Sequence, residues 1–91
     1  MKTMCIHAIV SGKVQGVFYR NGTQKKALAL NITGWVKNTD EGNVELHACG
    51  DEENIKKLIA WLWKGPLLAR VANVDWSEIS EEKYEGFVIL R

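Results

Sequence analysis

Hydrophobic residues recur along the chain at two spacings, one typical of strands and the other of helices. Val44, Leu46 and Ala48 alternate with Glu45, His47 and Cys49, as in a strand with one buried face. Behind an acidic start at residue 51, apolar residues recur at helical spacing up to Gly65 and Pro66, which end the helix. The whole pattern predicts strands at 4–10, 33–38, 43–49, 70–79 and 86–90, and helices at 23–31 and 51–65.

The order of these elements defines the fold class. A strand–helix–strand–strand–helix–strand order with a short last strand is the split βαβ pattern of ferredoxin-like α/β sandwiches, in the α+β class. Right-handed crossovers place the first and third strands side by side and antiparallel in the middle of the sheet. We therefore expect an antiparallel sheet with two helices on one face, formed by a single domain over residues 1–91. Many functions share this architecture, so the fold alone assigns none.

Composition and charge exclude several classes of protein. Hydrophobic residues make up 46% of the chain and charged residues 25%, which is typical of a globular domain. The net charge of +1 gives no overall field to attract nucleic acid, so an anion site has to be built locally. No apolar run approaches the ~20 residues of a membrane span, and residues 1–10 lack a signal-peptide pattern. We expect a cytoplasmic monomer with no nucleic-acid or membrane partner.

The segment "SGKVQGVFYRNG", residues 11–22, joins the first predicted strand to the first predicted helix. Its glycines allow the backbone to curl around a ligand, and a following helix N-terminus adds positive potential. Arg20 supplies a planar guanidinium that matches the oxygens of phosphate. A Walker loop is excluded because Gly16 is followed by Val17 rather than lysine, and the glycine spacing excludes a dinucleotide fingerprint. By spacing alone, an anion site and a plain surface connection fit equally well.

Two motifs resemble the signatures of the acylphosphatase family. "VSGKVQGVFYR" at residues 10–20 resembles the first signature, and "GWVKNTDEGNVELHACG" at residues 34–50 matches the second at every required position. The resemblance covers essentially the whole chain and agrees with the predicted order of strands. It implies an enzyme that hydrolyses the carboxyl–phosphate bond of small acyl phosphates to a carboxylate and inorganic phosphate, without a metal or cofactor.

The resemblance also implies roles for individual residues. Arg20 would hold the phosphoryl group, Asn38 would position the attacking water, and backbone amides would surround the phosphate. The family usually has phenylalanine where this chain has Tyr19, and Gly22 weakens the first turn of a helix by up to ~1 kcal/mol relative to alanine. The implied phosphate-binding loop consists of Val14, Gln15, Gly16, Val17, Phe18, Tyr19 and Arg20.

Two other functions share the predicted order of strands. RNA-recognition domains stack bases on aromatic residues of their central strands. The central strands predicted here contain no Phe, Tyr or Trp, which argues against that function. A non-catalytic anion-binding or regulatory domain on the same scaffold stays an alternative. It would bind phosphate at the loop without turning over acyl phosphates.

The alternation in the first and third strands sets a register for the two cysteines. Cys5 falls opposite Cys49 and His7 opposite His47, on a face that we expect to be exposed. Opposite residues are close enough for a disulfide, so the two cysteines can be bonded in oxidised protein, although a reducing cytosol opposes a permanent bond. We expect no metal at these four residues, because a flat sheet rarely offers tetrahedral geometry.

Overall fold

The computed structural model describes residues 2–90. The strands form one five-stranded sheet in which neighbouring strands are antiparallel, except for one parallel pair at an edge. Its elements are β1 (Thr3–Lys13), α1 (Tyr19–Ala29), β2 (Thr33–Asn38), β3 (Val44–Asp51), α2 (Glu52–Lys64), β4 (Arg70–Ile79) and β5 (Phe87–Ile89). The sheet order is β4-β1-β3-β2-β5, with β2 and β5 as the parallel pair. The predicted ferredoxin-like α/β sandwich is confirmed, but the sheet is mixed rather than wholly antiparallel, because the short last strand pairs in parallel with β2.

The central strands β1 and β3 pair in the register that the sequence predicts. Cys5 lies opposite Cys49, and His7 lies opposite His47. The alternate residues of both strands face the helices and are fully buried. These residues are Ile6, Ala8, Val10, Val44, Leu46 and Ala48. Their burial fixes the register, because a slip by one residue would move all of them to the other face of the sheet.

Helix α1 begins at Tyr19 rather than at Thr23, because polar residues anchor its first turn. Tyr19 and Thr23 are buried together with Ala27, and Thr23 Oγ1 donates to Tyr19 O at 2.8 Å. Gly22 has a structural role in this turn. A Cβ atom at that position would lie 2.9 Å from the ring of Trp61 in α2, so glycine allows the two helices to approach each other.

Helix α2 packs on the sheet through four buried residues at helical spacing, which are Ile55, Leu58, Ile59 and Leu62. It ends at Gly65, which has a φ of 66° and precedes Pro66. Both features stop a helix, since glycine adopts this conformation readily and proline cannot donate a backbone hydrogen bond. Neither helix in the described part of the chain is long and apolar enough to cross a membrane.

The sheet face away from the helices is partly covered, which corrects the expectation that the cysteines lie on an exposed face. The segment between β4 and β5 crosses it, and Glu82 O lies 3.9 Å from Cys5 Sγ. Cys5 and Cys49 are therefore only 1% and 5% exposed. Their Cα atoms are 4.1 Å apart and their Sγ atoms form the disulfide that the register predicts.

A group of aromatic and histidine side chains lies beside the disulfide on the same face. The ring of His47 stacks on Trp35 with centroids 4.6 Å apart, and meets His7 edge-on at 5.2 Å. Tyr84 donates its hydroxyl proton to Glu82 Oε2 at 2.7 Å and so accepts a hydrogen bond from His47 Nδ1 at 3.0 Å. Burial, followed by the charge of His7, lowers the pKa of His47. Among residues 2–90, no group of His, Cys, Asp and Glu side chains is arranged to hold a metal ion.

Candidate active site

The loop between β1 and α1 is anchored at its sides and curled at its centre. Val14 and Val17 are buried in the core, which fixes the loop at two points. Between and after them, Gly16 and Phe18 have φ angles of 74° and 64°. A positive φ costs glycine little but strains phenylalanine, and non-glycine residues in this region occur often at functional sites. The side chain of Phe18 is 72% exposed, so core packing is not what holds it in this conformation.

Backbone N–H groups are available along this loop. The N–H of Gly22 donates to Phe18 O at 3.0 Å. Within residues 2–90, none of the N–H groups of residues 15–21 donates to a backbone carbonyl. The loop leads directly into the N-terminus of α1, where unpaired N–H groups and the helix dipole favour an anion.

A depression of about 290 Å³ lies beside this loop and the first turn of α1. Among its lining residues Arg20 is the only one with a charged side chain, so the depression is electropositive. The structure places Arg20 in the first turn of α1 rather than at the end of the loop. Its guanidinium is in no salt bridge with another described residue. The lining residues are Val14, Gly16, Phe18, Tyr19, Arg20 and Asn21.

Asn38 ends β2 and pairs with Val44 of β3. Its Oδ1 atom is buried and has no hydrogen-bond partner among residues 2–90. A buried amide oxygen without a partner costs about 1–3 kcal/mol, so a native protein usually supplies one, as protein, water or ligand. Asn38 therefore has one acceptor that the described residues leave unused.

Asn38 does not line the depression that contains Arg20. It lines a second one of about 360 Å³, together with Lys37, Thr39, Asp40, Glu41 and Glu45. The acidic side chains here outnumber the single lysine, so an anion is favoured in the first depression and not in the second. The two predicted side chains therefore lie in separate depressions with opposite electrostatic character.

Gln15 connects these two parts of the site. Its Nε2 donates to Thr39 O at 2.9 Å and to Asn43 O at 2.8 Å, at either end of the turn that follows Asn38. The loop and the end of β2 are therefore held at the same end of the sheet. The sequence pointed only to the backbone of Gln15, because one polar residue in a glycine loop has no periodicity that reveals the direction of its side chain.

Comparisons with known proteins identify the family of this chain. The acylphosphatase family model matches residues 6–89. An acylphosphatase of Coxiella burnetii (strain Dugway 5J108-111) is 58% identical over 83 residues, which cover 91% of this chain and 87% of the relative.

Two solved acylphosphatase structures superpose closely. The structure of the acylphosphatase from Coxiella burnetii has a TM-score of 0.94 at 53% identity. The match covers 97% of this chain and 93% of the Coxiella chain. The crystal structure of the acylphosphatase from Bacillus subtilis has a TM-score of 0.94 at 32% identity. The match covers 97% of this chain and 99% of the Bacillus chain. Because the family model matches nearly the whole chain and an acylphosphatase relative is 58% identical over 91% of it, this chain belongs to the acylphosphatase family.

Proposed function

We propose that this protein hydrolyses small acyl phosphates to a carboxylate and inorganic phosphate, without a metal or cofactor. The observation that carries the proposal is the electropositive depression beside the loop before α1. Among residues 2–90, the N–H groups of residues 15–21 donate to no backbone carbonyl and Arg20 forms no salt bridge. Family membership supplies the class of substrate, and the depression supplies groups suited to its phosphoryl oxygens.

The chemistry requires placement and charge stabilisation more than a strong base. A carboxylate is a good leaving group, so the bond between phosphorus and the bridging oxygen breaks readily once charge on the phosphoryl oxygens is balanced. In our proposal the backbone amides of residues 14–20 and the guanidinium of Arg20 balance that charge. A water oxygen forms the new bond to phosphorus, and the carboxylate leaves with the bridging oxygen.

Asn38 is proposed to position the attacking water. An amide oxygen can accept a hydrogen bond from water but cannot take its proton away. The water proton therefore passes to a phosphoryl oxygen, which yields dihydrogen phosphate or its conjugate base. The Oδ1 of Asn38, which accepts no hydrogen bond within residues 2–90, supports this role. Because Asn38 and Arg20 line separate depressions, the water would approach from the hairpin side of the bound phosphate.

A turnover assay with acetyl phosphate and benzoyl phosphate tests the function. We expect hydrolysis of both, the same rate with and without EDTA, and competitive inhibition by inorganic phosphate. Activity that disappears with chelator and returns with Mg²⁺ would contradict the metal-free mechanism. Phosphate binding without any turnover would instead support a non-catalytic anion-binding domain.

The cellular and assembly state is also part of the proposal. We propose a monomer in the cytoplasm that has no nucleic-acid partner, and the net charge of +1 supports the last point. Size-exclusion chromatography with light scattering measures the mass in solution. Cell fractionation and a nucleic-acid gel-shift assay test location and binding.

A further inference from the structure

The side chain of Gln15 joins the loop before α1 to the turn between β2 and β3. Its Nε2 has two protons, and both are used, since Thr39 O lies at 2.9 Å and Asn43 O at 2.8 Å. The N–H2 group is therefore fully satisfied by the hairpin. Within the described contacts of this loop, no other side chain is hydrogen-bonded to the β2–β3 turn.

The turn that accepts these bonds is itself closed. The N–H of Thr39 donates to Asn43 O at 2.9 Å, and the N–H of Asn43 is 3.2 Å from Thr39 Oγ1. Gly42 N donates to Thr39 O at 3.2 Å. Both carbonyls that Gln15 contacts thus already belong to a rigid turn. A hydrogen bond to such a turn fixes the position of the loop and not only that of one side chain.

The turn is continuous with the residue proposed to hold water. Thr39 directly follows Asn38, and Asn43 directly precedes Val44, which pairs with Asn38 across the hairpin. The two bonds from Gln15 therefore fix the distance between the backbone N–H groups of the loop and the amide of Asn38. An error of about 1 Å in such a distance can cost on the order of 10²-fold in rate.

We infer that the Gln15 side chain is a positioning residue, which holds the phosphate-binding loop in register with Asn38 so that the water is aligned with phosphorus. This inference rests on the proposed function. It assigns Gln15 no contact with substrate: the amide acts through the hairpin. Its effect should then appear in the chemical step, while the loop keeps its own N–H groups for binding phosphate.

Gln15→Met is the first variant, because methionine has similar length and no donor. We expect kcat for benzoyl phosphate to fall by about 10- to 100-fold, with the inhibition constant for inorganic phosphate changed by less than about threefold. Gln24→Met is the matched control. Gln24 also donates from Nε2 to a backbone carbonyl, Phe87 O at 2.9 Å, but it connects α1 to β5. Its kinetics should match those of the wild type.

A double-mutant cycle separates positioning from a general structural role. In an Asn38→Ala background the water-holding amide is gone, so Gln15→Met should reduce kcat by no more than about twofold further. Circular dichroism and thermal melting of each variant establish that it is folded. If the losses of kcat caused by the two substitutions multiply fully in the double variant, Gln15 only shapes the loop and the inference is wrong. The same conclusion follows if phosphate affinity falls as much as kcat.

Turnover of acyl phosphates by the wild-type protein tests the proposed function independently of the inference about Gln15. If the wild type hydrolyses acyl phosphates and Gln15→Met is as active, the inference fails and the function stands. If the wild type has no turnover, the function fails, and the positioning of a water by Gln15 fails with it. If Gln15→Met does not fold, Gln15→Asn, which keeps the amide but shortens the chain, is expected to show the same loss of kcat.

Discussion

The hydroxyl of Tyr19 donates a hydrogen bond of 2.6 Å to the backbone carbonyl of Leu62. In an uninterrupted helix that carbonyl would accept from the N–H of residue 66, and residue 66 is a proline without an N–H. Tyr19 therefore supplies the donor that Pro66 lacks at the end of α2. The tyrosine that departs from the usual phenylalanine of the family has a structural reason in this chain.

Tyr19→Phe should lower the free energy of unfolding by about 1–3 kcal/mol, because it leaves a buried carbonyl without a partner. The ring stays in place, so kcat/KM should change little. Denaturant unfolding measures the stability. Tyr84→Phe, which removes a hydroxyl bonded to Glu82 and His47, is the control and should cost less because neither partner is fully buried. A loss below about 0.5 kcal/mol would be that of an ordinary surface substitution and would contradict this role.

Arg20→Lys should reduce kcat/KM for benzoyl phosphate by at least about 10²–10³-fold, the effect of removing one transition-state donor. Lysine keeps the charge but cannot contact two phosphoryl oxygens through a planar fork. Stability should stay unchanged, since Arg20 is in no salt bridge with a described residue. Arg70→Lys, at an exposed strand residue, controls for the substitution itself. An Arg20→Lys enzyme with half of the wild-type kcat/KM would rule out the proposed role.

Asn38→Ala should lower kcat and leave the inhibition constant for phosphate nearly unchanged, because the amide acts on water rather than on the phosphoryl group. The same variant removes a buried oxygen that has no hydrogen-bond partner in the described part of the chain, so stability should not fall much. Asn73→Ala, on the exposed side of β4, is the control. Should phosphate inhibition weaken as much as kcat falls, Asn38 binds the phosphate and its role is misassigned.

Reduction of the Cys5–Cys49 disulfide should destabilise the protein by up to about 4 kcal/mol, from the loop entropy of residues separated by 44 positions. Thiol titration of unreduced, denatured protein should find no free thiol. The Cys5→Ala, Cys49→Ala double variant should be insensitive to reductant. Two free thiols after mild oxidation, with no loss of stability on adding reductant to the wild type, would contradict the bond in solution.

Stability should fall as the pH falls below about 6.5, the ordinary pKa of histidine. Burial and the charge of His7 lower the pKa of His47, so the unfolded chain binds its proton more readily than the folded one. The contribution of neutral His47 to the free energy of unfolding is complete above the pKa of histidine in the unfolded chain. It is lost as the pH falls toward the lowered pKa of His47 in the folded protein. His47→Gln should lose less stability between about pH 7.5 and 5.5 than the wild type. Equal slopes for both proteins would show that His47 is not responsible.

The sequence predicts the regular part of this molecule well, because strand alternation and helical spacing report directly on burial. The pairing of Cys5 with Cys49 follows from two short alternating runs. The start of α1 cannot be predicted in this way. Tyr19 and Thr23 are held there by hydrogen bonds of their hydroxyl groups and are not part of an aliphatic pattern. The backbone carbonyl of Glu82 covers the disulfide. Glu82 lies in an irregular segment, where no periodic pattern predicts the position of the chain.

The candidate site also has a part that the sequence predicts and a part that only the structure shows. Arg20 and Asn38 are predicted by resemblance, and a right-handed crossover predicts that they lie at the same end of the sheet. Their placement in separate depressions, and the bridge from Gln15 between them, depend on side-chain directions in a loop and a turn. Such directions are set by tertiary contacts, so they become visible only in the folded structure.

The parallel pairing of β5 with β2 constrains when the protein can fold during its synthesis. Phe87 lies beside Gly34 and Ile89 beside Val36, on the strand that ends in Asn38. On a translating ribosome, residue 89 reaches the outside of the exit tunnel only after all of the residues before it. The hairpin that carries Asn38 therefore lacks one of its neighbours until residues 87–89 have emerged. A nascent chain stalled before Phe87 emerges would have an open edge on β2, the strand that ends in Asn38.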